Sequence, residues 1–439
     1  MAREMKDSGI EWIGEIPKEW EIIKVKNIGE YRNGLTYSPS DLVSQDKGTL
    51  VLRSSNIQQG KLVFEDNVYV NTKIKPNLMI KQGDILICSR NGSKELIGKN
   101  AIINLNIEAS FGAFMMIFRC NFPKYMYYIL NSPIFSYYLG TFLTATINQL
   151  TNNNFGNMKI VFCKNKKEQE KIVNYLDKKV ADIDLVIEKT KATIEDYKKY
   201  KQSIITEAVT KGLNPDVEMK DSGIEWIGEI PKEWELNKIN RIFNTITDYV
   251  ASGSFADLAK NVIYLDFPNY ARLIRTVDIS RKRENIQPVY INEDSYNFLK
   301  NSNLFGGELI LPNIGASVGD VYLVPKLYEK MSLAPNLIML KTNQKIRYYY
   351  YFFLSISGRK MLLDLAQSTA QAKFNKTQLR QLKILQPFLE EQEKIANYLD
   401  KKVAEIDNLI AKKESLISEM EEYKKSLIYE CVTGKKEII

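Results

Sequence analysis

Residues 168–189 read EQEKIVNYLDKKVADIDLVIEK and residues 391–412 read EQEKIANYLDKKVAEIDNLIAK, so that 17 of 22 positions are identical. In each copy the mostly apolar positions recur at alternating spacings of four and three, which is the pattern of a coiled-coil seam. So narrow a stripe leaves a lone helix with its apolar face in water, and we therefore expect the two helices to pair; the alternative is that each packs on its own domain. The predicted seam residues are Leu176, Val180, Ile183, Ile187 and Ile194 in the first copy and Leu399, Val403, Ile406, Ile410 and Ile417 in the second.

A second repeat precedes each helix. Residues 5–21 and residues 219–235 both read MKDSGIEWIGEIPKEWE, and we call these two segments the leaders. The segments between each leader and the helix that follows it, which we call the bodies, are much less alike. The body skeletons still align, since LRSSNI at 52–57 stands opposite IRTVDI at 274–279. Shared segments indicate one task performed twice, whereas divergent bodies on one skeleton indicate two different ligands. A recent duplication followed by neutral drift is the alternative, although drift alone does not leave the leader untouched.

The order leader, body, helix, leader, body, helix predicts an α+β fold. We expect two similar α/β domains joined by two long helices that form an antiparallel coiled coil with pseudo-twofold symmetry. The predicted boundaries are 1–163 for the first leader and body, 164–213 for the first helix, 214–386 for the second leader and body, and 387–439 for the second helix.

The composition excludes several kinds of chemistry. The chain has no histidine, so Ser-His-Asp triads, Cys-His pairs and HExxH zinc sites are impossible. Its four cysteines are too scattered for a zinc site, and we expect reduced, buried thiols in the cytoplasm. No phosphate-binding glycine loop or membrane-length apolar run is present, and from the polar residues 1–7 we expect no signal peptide. The excess of 61 Lys and Arg over 53 Asp and Glu suits a polyanionic partner without establishing one.

Each body has a predicted buried strand, at 85–87 and 309–311, and a predicted helix rich in aromatic residues, at 125–130 and 349–354. Polar loops follow both elements in each body. Arg side chains can bond guanine bidentately, Asn and Gln can bond adenine, and Ser and Thr serve either base. The same residue types also build ordinary turns, which is the alternative. The predicted DNA-binding residues are Arg53, Ser54, Asn56, Arg90, Asn91, Ser93, Gln149, Asn152 and Asn153 in the first body and Arg275, Thr276, Asn313, Ser317, Gln367, Thr369, Gln371 and Lys373 in the second.

All four tryptophans of the chain lie in the two leaders: Trp12, Trp20, Trp226 and Trp234. They are candidates for contact with a protein partner that binds both leaders. Burial in the domain cores is the alternative for these large apolar side chains.

The leader SGIEWIGEIPKEW at 8–20 and 222–234 resembles the conserved-region motif of type I restriction–modification specificity subunits, as does the helix start EQEKIxNYLDKKVAxID. The order of these segments between two variable target-recognition domains is also similar, so the resemblance covers essentially the whole chain. One departure is local: the second helix is preceded by Gln386-Pro387-Phe388, whereas the first lacks the proline.

The resemblance implies a subunit without catalysis or cofactors of its own. It implies double-stranded DNA as ligand, two adenine-N6 methyltransferase subunits that bring S-adenosylmethionine, and a possible pair of restriction subunits that use ATP and Mg²⁺. Each target-recognition domain is expected to read one half of a bipartite, asymmetric site, with the helices setting the gap. Two other hypotheses stay open on the residues alone: a duplicated scaffold that ignores DNA sequence, and a stand-alone enzyme.

Overall fold

The computed structural model describes residues 3–143, 148–280, 286–366 and 372–438. It divides into two compact units. Unit 1 comprises Met1–Lys191 with Glu414–Ile439, and unit 2 comprises Ala192–Lys413. Each unit therefore contains one body and a part of each long helix.

Unit 1 contains two four-stranded sheets and several two-stranded ones, with orders β11-β10-β13-β4 and β12-β6-β9-β5 for the larger pair. Its strands are Met5–Asp7 (β1), Glu15–Pro17 (β2), Glu21–Lys24 (β3), Glu30–Asn33 (β4), Leu42–Val43 (β5), Thr49–Leu52 (β6), Ile57–Gln58 (β7), Lys61–Leu62 (β8), Tyr69–Val70 (β9), Ile85–Cys88 (β10), Asn100–Ile102 (β11), Ala109–Phe111 (β12), Met115–Arg119 (β13) and Lys159–Phe162 (β14). Its helices are Pro123–Leu130 (α1), Pro133–Phe142 (α2), Asn152–Asn157 (α3) and the first part of Lys166–Lys211 (α4).

Unit 2 repeats this plan, with a four-stranded sheet β18-β26-β23-β24 and a five-stranded sheet β19-β21-β20-β25-β22. Its strands are Met219–Asp221 (β15), Glu229–Pro231 (β16), Glu235–Lys238 (β17), Thr245–Asp248 (β18), Tyr264–Leu265 (β19), Ala271–Ile274 (β20), Val289–Ile291 (β21), Asn303–Leu304 (β22), Leu309–Pro312 (β23), Tyr322–Leu323 (β24), Met331–Leu333 (β25), Leu337–Lys341 (β26) and Lys383–Gln386 (β27). Its helices are Ile239–Ile242 (α5), Phe255–Asn261 (α6), Thr276–Ile279 (α7), Glu293–Phe298 (α8), Ile346–Leu354 (α9), Ile356–Ala366 (α10), Lys376–Gln381 (α11) and the first part of Leu389–Val432 (α12).

The cores of the two bodies are built in the same way. All four residues of β10 and all four of β23 are buried, as expected for a continuous apolar run covered on both faces. A parallel pair recurs as well, because β12 runs parallel to β6 in unit 1 and β25 runs parallel to β20 in unit 2. The prediction of two similar α/β domains is therefore confirmed.

An acidic residue anchors the start of the central strand in each body. The buried Asp84 accepts hydrogen bonds of 2.6 Å from both Nε and Nη2 of Arg119, and its other contact is the backbone N–H of Lys81. In unit 2, Glu308 occupies this place beside Lys341 at 3.4 Å. These carboxylates are structural, and within the described ranges no group of three or more potential ligands could hold a metal ion.

The repeated segment at the start of each long helix (168–189 and 391–412) forms hydrogen bonds with the body of its own unit. Asp177 accepts a 2.6 Å hydrogen bond from the Tyr128 hydroxyl in unit 1, and Asp400 accepts one of 2.8 Å from Tyr351 in unit 2. An earlier position of the repeat also behaves alike in both units, since the Gln169 and Gln392 side-chain amides donate to the carbonyl oxygens of Cys163 at 2.6 Å and Pro387 at 2.8 Å. Much of the identity between the two helix starts is thus explained by internal packing.

The long helices pair in antiparallel fashion inside each unit. In unit 1, Asp184 of α4 forms a 2.6 Å ion pair with Lys424 of α12, and Tyr175, earlier in α4, lies under the ammonium group of Lys436. In unit 2, Lys201 of α4 forms a 2.6 Å ion pair with Asp407 of α12. The prediction of antiparallel pairing is confirmed, as the partner residue number falls while the α4 number rises.

The two ion pairs are equivalent. Asp407 lies 223 positions after Asp184, and Lys424 lies 223 positions after Lys201, so in each unit the Lys of one repeat meets the Asp of the other. Polar contacts at a seam position favour one register over its alternatives. Between and beside them the seam is mainly buried: Leu176, Ile183, Ile187, Ile194, Leu399, Ile406 and Ile410 are buried, and Val180, Val403 and Ile417 are partly buried.

Candidate nucleic-acid interface

A cleft in unit 1 brings together four of the residues predicted to bind DNA. Arg53, Ser54, Arg90 and Asn91 line it, and its volume is about 560 Å³. Its buried floor is apolar and includes Leu35 and Met115, and the exposed Phe114 side chain lines the cleft as well. Polar donors around an apolar floor can contact both the edges and the methyl groups of bases.

The segment after β6 builds one wall of this cleft. Arg53 forms a 2.7 Å ion pair with Asp66, and its backbone N–H donates to the Asn56 side-chain oxygen at 2.9 Å. Asn56 is fully buried and also donates to the carbonyl oxygen of Val63 at 3.0 Å. Asn56 therefore shapes the loop from within, while Ser54 next to it bonds the Asn91 side chain at 3.3 Å.

A turn that is hydrogen-bonded to Phe114 forms another part of the cleft. The Phe114 carbonyl oxygen accepts hydrogen bonds of 3.0 Å from the backbone N–H groups of Ser89 and Arg90. The Arg90 guanidinium lies over the Phe114 ring, with 5.1 Å between guanidinium carbon and ring centroid. The Phe114 side chain is 58% exposed.

Close backbone approach holds this turn in place. Gly34, at the end of β4, donates its N–H to the Met115 carbonyl oxygen at 3.1 Å. A Cβ atom at Gly34 would overlap the carbonyl oxygen of Phe111, so this approach requires glycine. Phe114 is not among the residues predicted from the sequence, because Gly-Ala-Phe-Met before a buried strand has the pattern of core packing.

The remaining predicted residues of unit 1 lie around the same loops. Gln149 forms an isolated backbone bridge with Arg90, and Ser93 is exposed with its N–H bonded to the Asn91 side chain at 3.0 Å. Asn152 and Asn153 are exposed in the first turn of α3. Their role in DNA binding remains a prediction.

In unit 2, Arg275 is committed to internal contacts. Its Nε donates to Asp278 at 2.8 Å, and one Nη donates to the Gln287 carbonyl oxygen at 2.8 Å. The Asp278 side chain is fully covered and also pairs with Arg272 at 3.1 Å. Burial alone raises the pKa of Asp278, but hydrogen bonds from Arg275 and Arg272 outweigh it and lower that pKa. Thr276, the neighbouring predicted residue, opens α7 and is partly buried.

This depressed pKa predicts a pH dependence of local stability. A carboxyl whose folded-state pKa lies below its unfolded value of about 3.9 stabilises the fold above that value and loses this contribution as the pH falls through the folded-state pKa. We expect amide hydrogen exchange of β20 to be faster in Asp278→Asn than in the native chain at pH 7, with the difference shrinking towards pH 3. The exposed Asp294→Asn serves as the matched control, and protection differences that stay constant with pH would contradict the linkage.

The loop after β23 in unit 2 has the same backbone framework as the loop after β10 in unit 1, but it carries different side chains. Ile314 forms the backbone bridge to Lys373 that Arg90 forms to Gln149 in unit 1. Asn313 donates its side-chain amide to the Phe374 carbonyl oxygen at 2.9 Å, Ser317 is partly buried, and Lys373 is exposed. These bridges match Gln149 with Lys373. The predicted residues Gln367, Thr369 and Gln371 lie outside the described residues.

The leader tryptophans separate into two kinds. Trp20 and Trp234 are each 1% exposed, and their indole N–H groups donate to Glu168 at 3.3 Å and to Glu391 at 2.8 Å. Leader and helix start are therefore joined by the same hydrogen bond in both units. Trp12 and Trp226 are partly buried; Trp12 stacks on the exposed ring of Tyr137, with 4.3 Å between ring centroids. Of the four, Trp12 and Trp226 alone keep surface for a partner.

The units thus define a class of duplicated α/β protein in which one scaffold carries two sets of polar side chains. A profile of the type I restriction modification DNA specificity domain matches residues 17–196 and 231–418. These matches cover well over half of the chain, and the chain belongs to this family. Among the described residues, no helix is long and apolar enough to cross a membrane.

Relatives of known name agree with this assignment. The chain is 24% identical over 412 residues to the type I restriction enzyme EcoKI specificity subunit of Escherichia coli, covering 90% of this chain and 84% of the relative. It is 28% identical over 404 residues to the putative type I restriction enzyme MjaX specificity subunit of Methanocaldococcus jannaschii, covering 88% and 87%.

Solved structures share the fold. A chain from a structure of the type I R-M system superposes with a TM-score of 0.72 at 14% identity, covering 96% of this chain and 99% of that one. The HsdS subunit from Thermoanaerobacter tengcongensis superposes with a TM-score of 0.51 at 15% identity, covering 96% and 98%.

Proposed function

We propose that this chain is the DNA sequence-recognition subunit of a type I restriction–modification complex. Each unit reads one half of a bipartite, asymmetric site in double-stranded DNA, and the helices set the gap between the halves. The scaffold alternative is not favoured, because the relatives are named as specificity subunits. The proposal rests on one observation above the others: equivalent positions carry different side chains, with Arg90 opposite Ile314 and Gln149 opposite Lys373.

The partly exposed leader surface around Trp12 and Trp226 is proposed to dock two methyltransferase subunits. Because the leader occurs twice with one sequence, it can present one surface to two copies of a single partner. The partner brings S-adenosylmethionine, and the target adenine is flipped out of the duplex into the partner's pocket, since chemistry on a base requires its removal from the stack. Two restriction subunits with ATP and Mg²⁺ can join this assembly, which acts in the cytoplasm, while this chain supplies no catalytic group.

Methylome sequencing tests the proposal directly. Methyltransferase subunits are expressed in a methylation-free host with and without this chain, and adenine-N6 methylation is mapped. The expected result is methylation at one two-part sequence, found only when the chain is present. Methylation without a two-part pattern would support the scaffold hypothesis, and methylation by this chain alone would identify it as an enzyme.

A further inference from the structure

The two arginines of the unit 1 cleft are held in opposite ways. Arg53 is neutralised by Asp66 at 2.7 Å. Among the described residues, no carboxylate forms an ion pair with Arg90, whose guanidinium rests instead over the Phe114 ring. A cation held over an aromatic face keeps its in-plane N–H donors for another ligand, because the ring binds the face of the group and not its hydrogen atoms.

The backbones of these two residues are also hydrogen-bonded to each other. The Phe114 backbone oxygen receives two hydrogen bonds from the Arg90 turn, so the side chains of both residues start from one hydrogen-bonded framework. Both side chains line the same cleft as Ser54 and Asn91. Phe114 is 58% exposed, so its ring is open to a ligand at this cleft.

Unit 2 lacks this arrangement. Ile314 replaces Arg90 at the bridge position, and the Asn313 N–H bonds the carbonyl oxygen of Asn336, which stands where unit 1 has Phe114. At equivalent positions, unit 1 therefore has an arginine over an aromatic ring, and unit 2 has an isoleucine and an asparagine. A device that differs between two otherwise related domains is suited to sequence discrimination more than to a shared contact with phosphate.

We infer that Arg90, supported by Phe114, determines specificity by bonding a guanine in the half-site that unit 1 reads. The guanidinium fork matches O6 and N7 of guanine in the major groove, which is the geometry that distinguishes guanine from the other bases. Phe114 is the positioning residue, since it holds the guanidinium without consuming its donors. The inference rests on the proposed function, because it presupposes a two-part DNA site.

The test uses the chain in complex with its methyltransferase subunits. Duplexes carry the recognised sequence with every base pair of both halves changed singly, and dissociation constants are measured at two salt concentrations. Arg90→Ala and Arg90→Lys are expected to lose about 10- to 100-fold of the preference for one G·C pair in one half-site, with the other half unchanged. Phe114→Ala should lose a smaller part of the same preference, and Phe114→Tyr should retain it.

Lys26→Ala is the matched control, since it removes an exposed positive charge of unit 1 outside the cleft. If Arg90→Ala weakens binding to every duplex equally and reduces the salt dependence by about one phosphate contact, Arg90 binds phosphate and the inference is overturned. It is also overturned if no preference changes or if the affected pair is A·T. A native complex that prefers no two-part sequence would instead refute the proposed function itself.

Discussion

Replacing residues 236–386 with the corresponding body of another family member is expected to change one half of the methylated sequence and leave the other half as it was. The exchanged segment contains β27 and all of β17 except Glu235. These strands pair with each other from Leu236 opposite Leu385 to Lys238 opposite Lys383, so both closing strands of the body are exchanged together. All residues that line the unit 1 cleft lie outside the segment. Each mismatched base pair costs about 1–3 kcal/mol, and loss of a whole half-site should therefore reduce methylation of the original sequence by at least about 1,000-fold.

The matched control is the same exchange in the first body, over residues 22–163, where β3 pairs with β14. It should change the half that the first exchange leaves intact. Methylome sequencing of both chimaeras reads the result. A change in both halves from one exchange, or in neither, would refute the division of labour between the units.

The repeated architecture was predictable because it depends on periodicity. The seam of α4 and α12 follows from apolar spacing, and the buried strand β10 follows from its unbroken apolar run. The hydrogen bond from Trp20 in the leader to Glu168 in the helix was not predictable, because these residues are 148 positions apart in the chain. A repeated Trp and a repeated Glu were visible in the sequence, but only the fold brings them within hydrogen-bond distance.

For the candidate site, too, the sequence could not show which side chains line the cleft and which are held by internal contacts. Arg53, Ser54, Arg90 and Asn91 line one cleft, and their role in DNA binding stays a prediction. Residue type could not distinguish Asn91, which lines that cleft, from Asn56, which is buried and bonds the loop from within. Nor could it show that Arg275 is held by Asp278, because an ion pair depends on how the backbone turns.

Deleting residues 189–195 and residues 412–418 together is expected to shorten the gap between the half-sites without changing either half. Each deletion removes one heptad, and along both helices it lies between the two interhelical ion pairs, so Asp184–Lys424 and Lys201–Asp407 are retained. A heptad of helix is about 10 Å long and turns the seam by only about 20°. Because a base pair rises about 3.4 Å, the gap should shrink by about three base pairs.

Deleting residues 189–192 and 412–415 is the control, since four residues break the alternation of three and four and turn the seam away from its partner. That variant should lose folding or site-specific methylation altogether, whereas the heptad deletion should keep full activity on a shorter site. Methylome sequencing with the same methyltransferase subunits distinguishes these results. If the heptad deletion kept the original gap, the distance between the half-sites would be set by the bodies or by the partner subunits, because a continuous helical pair cannot lose about 10 Å and hold two readers at an unchanged separation.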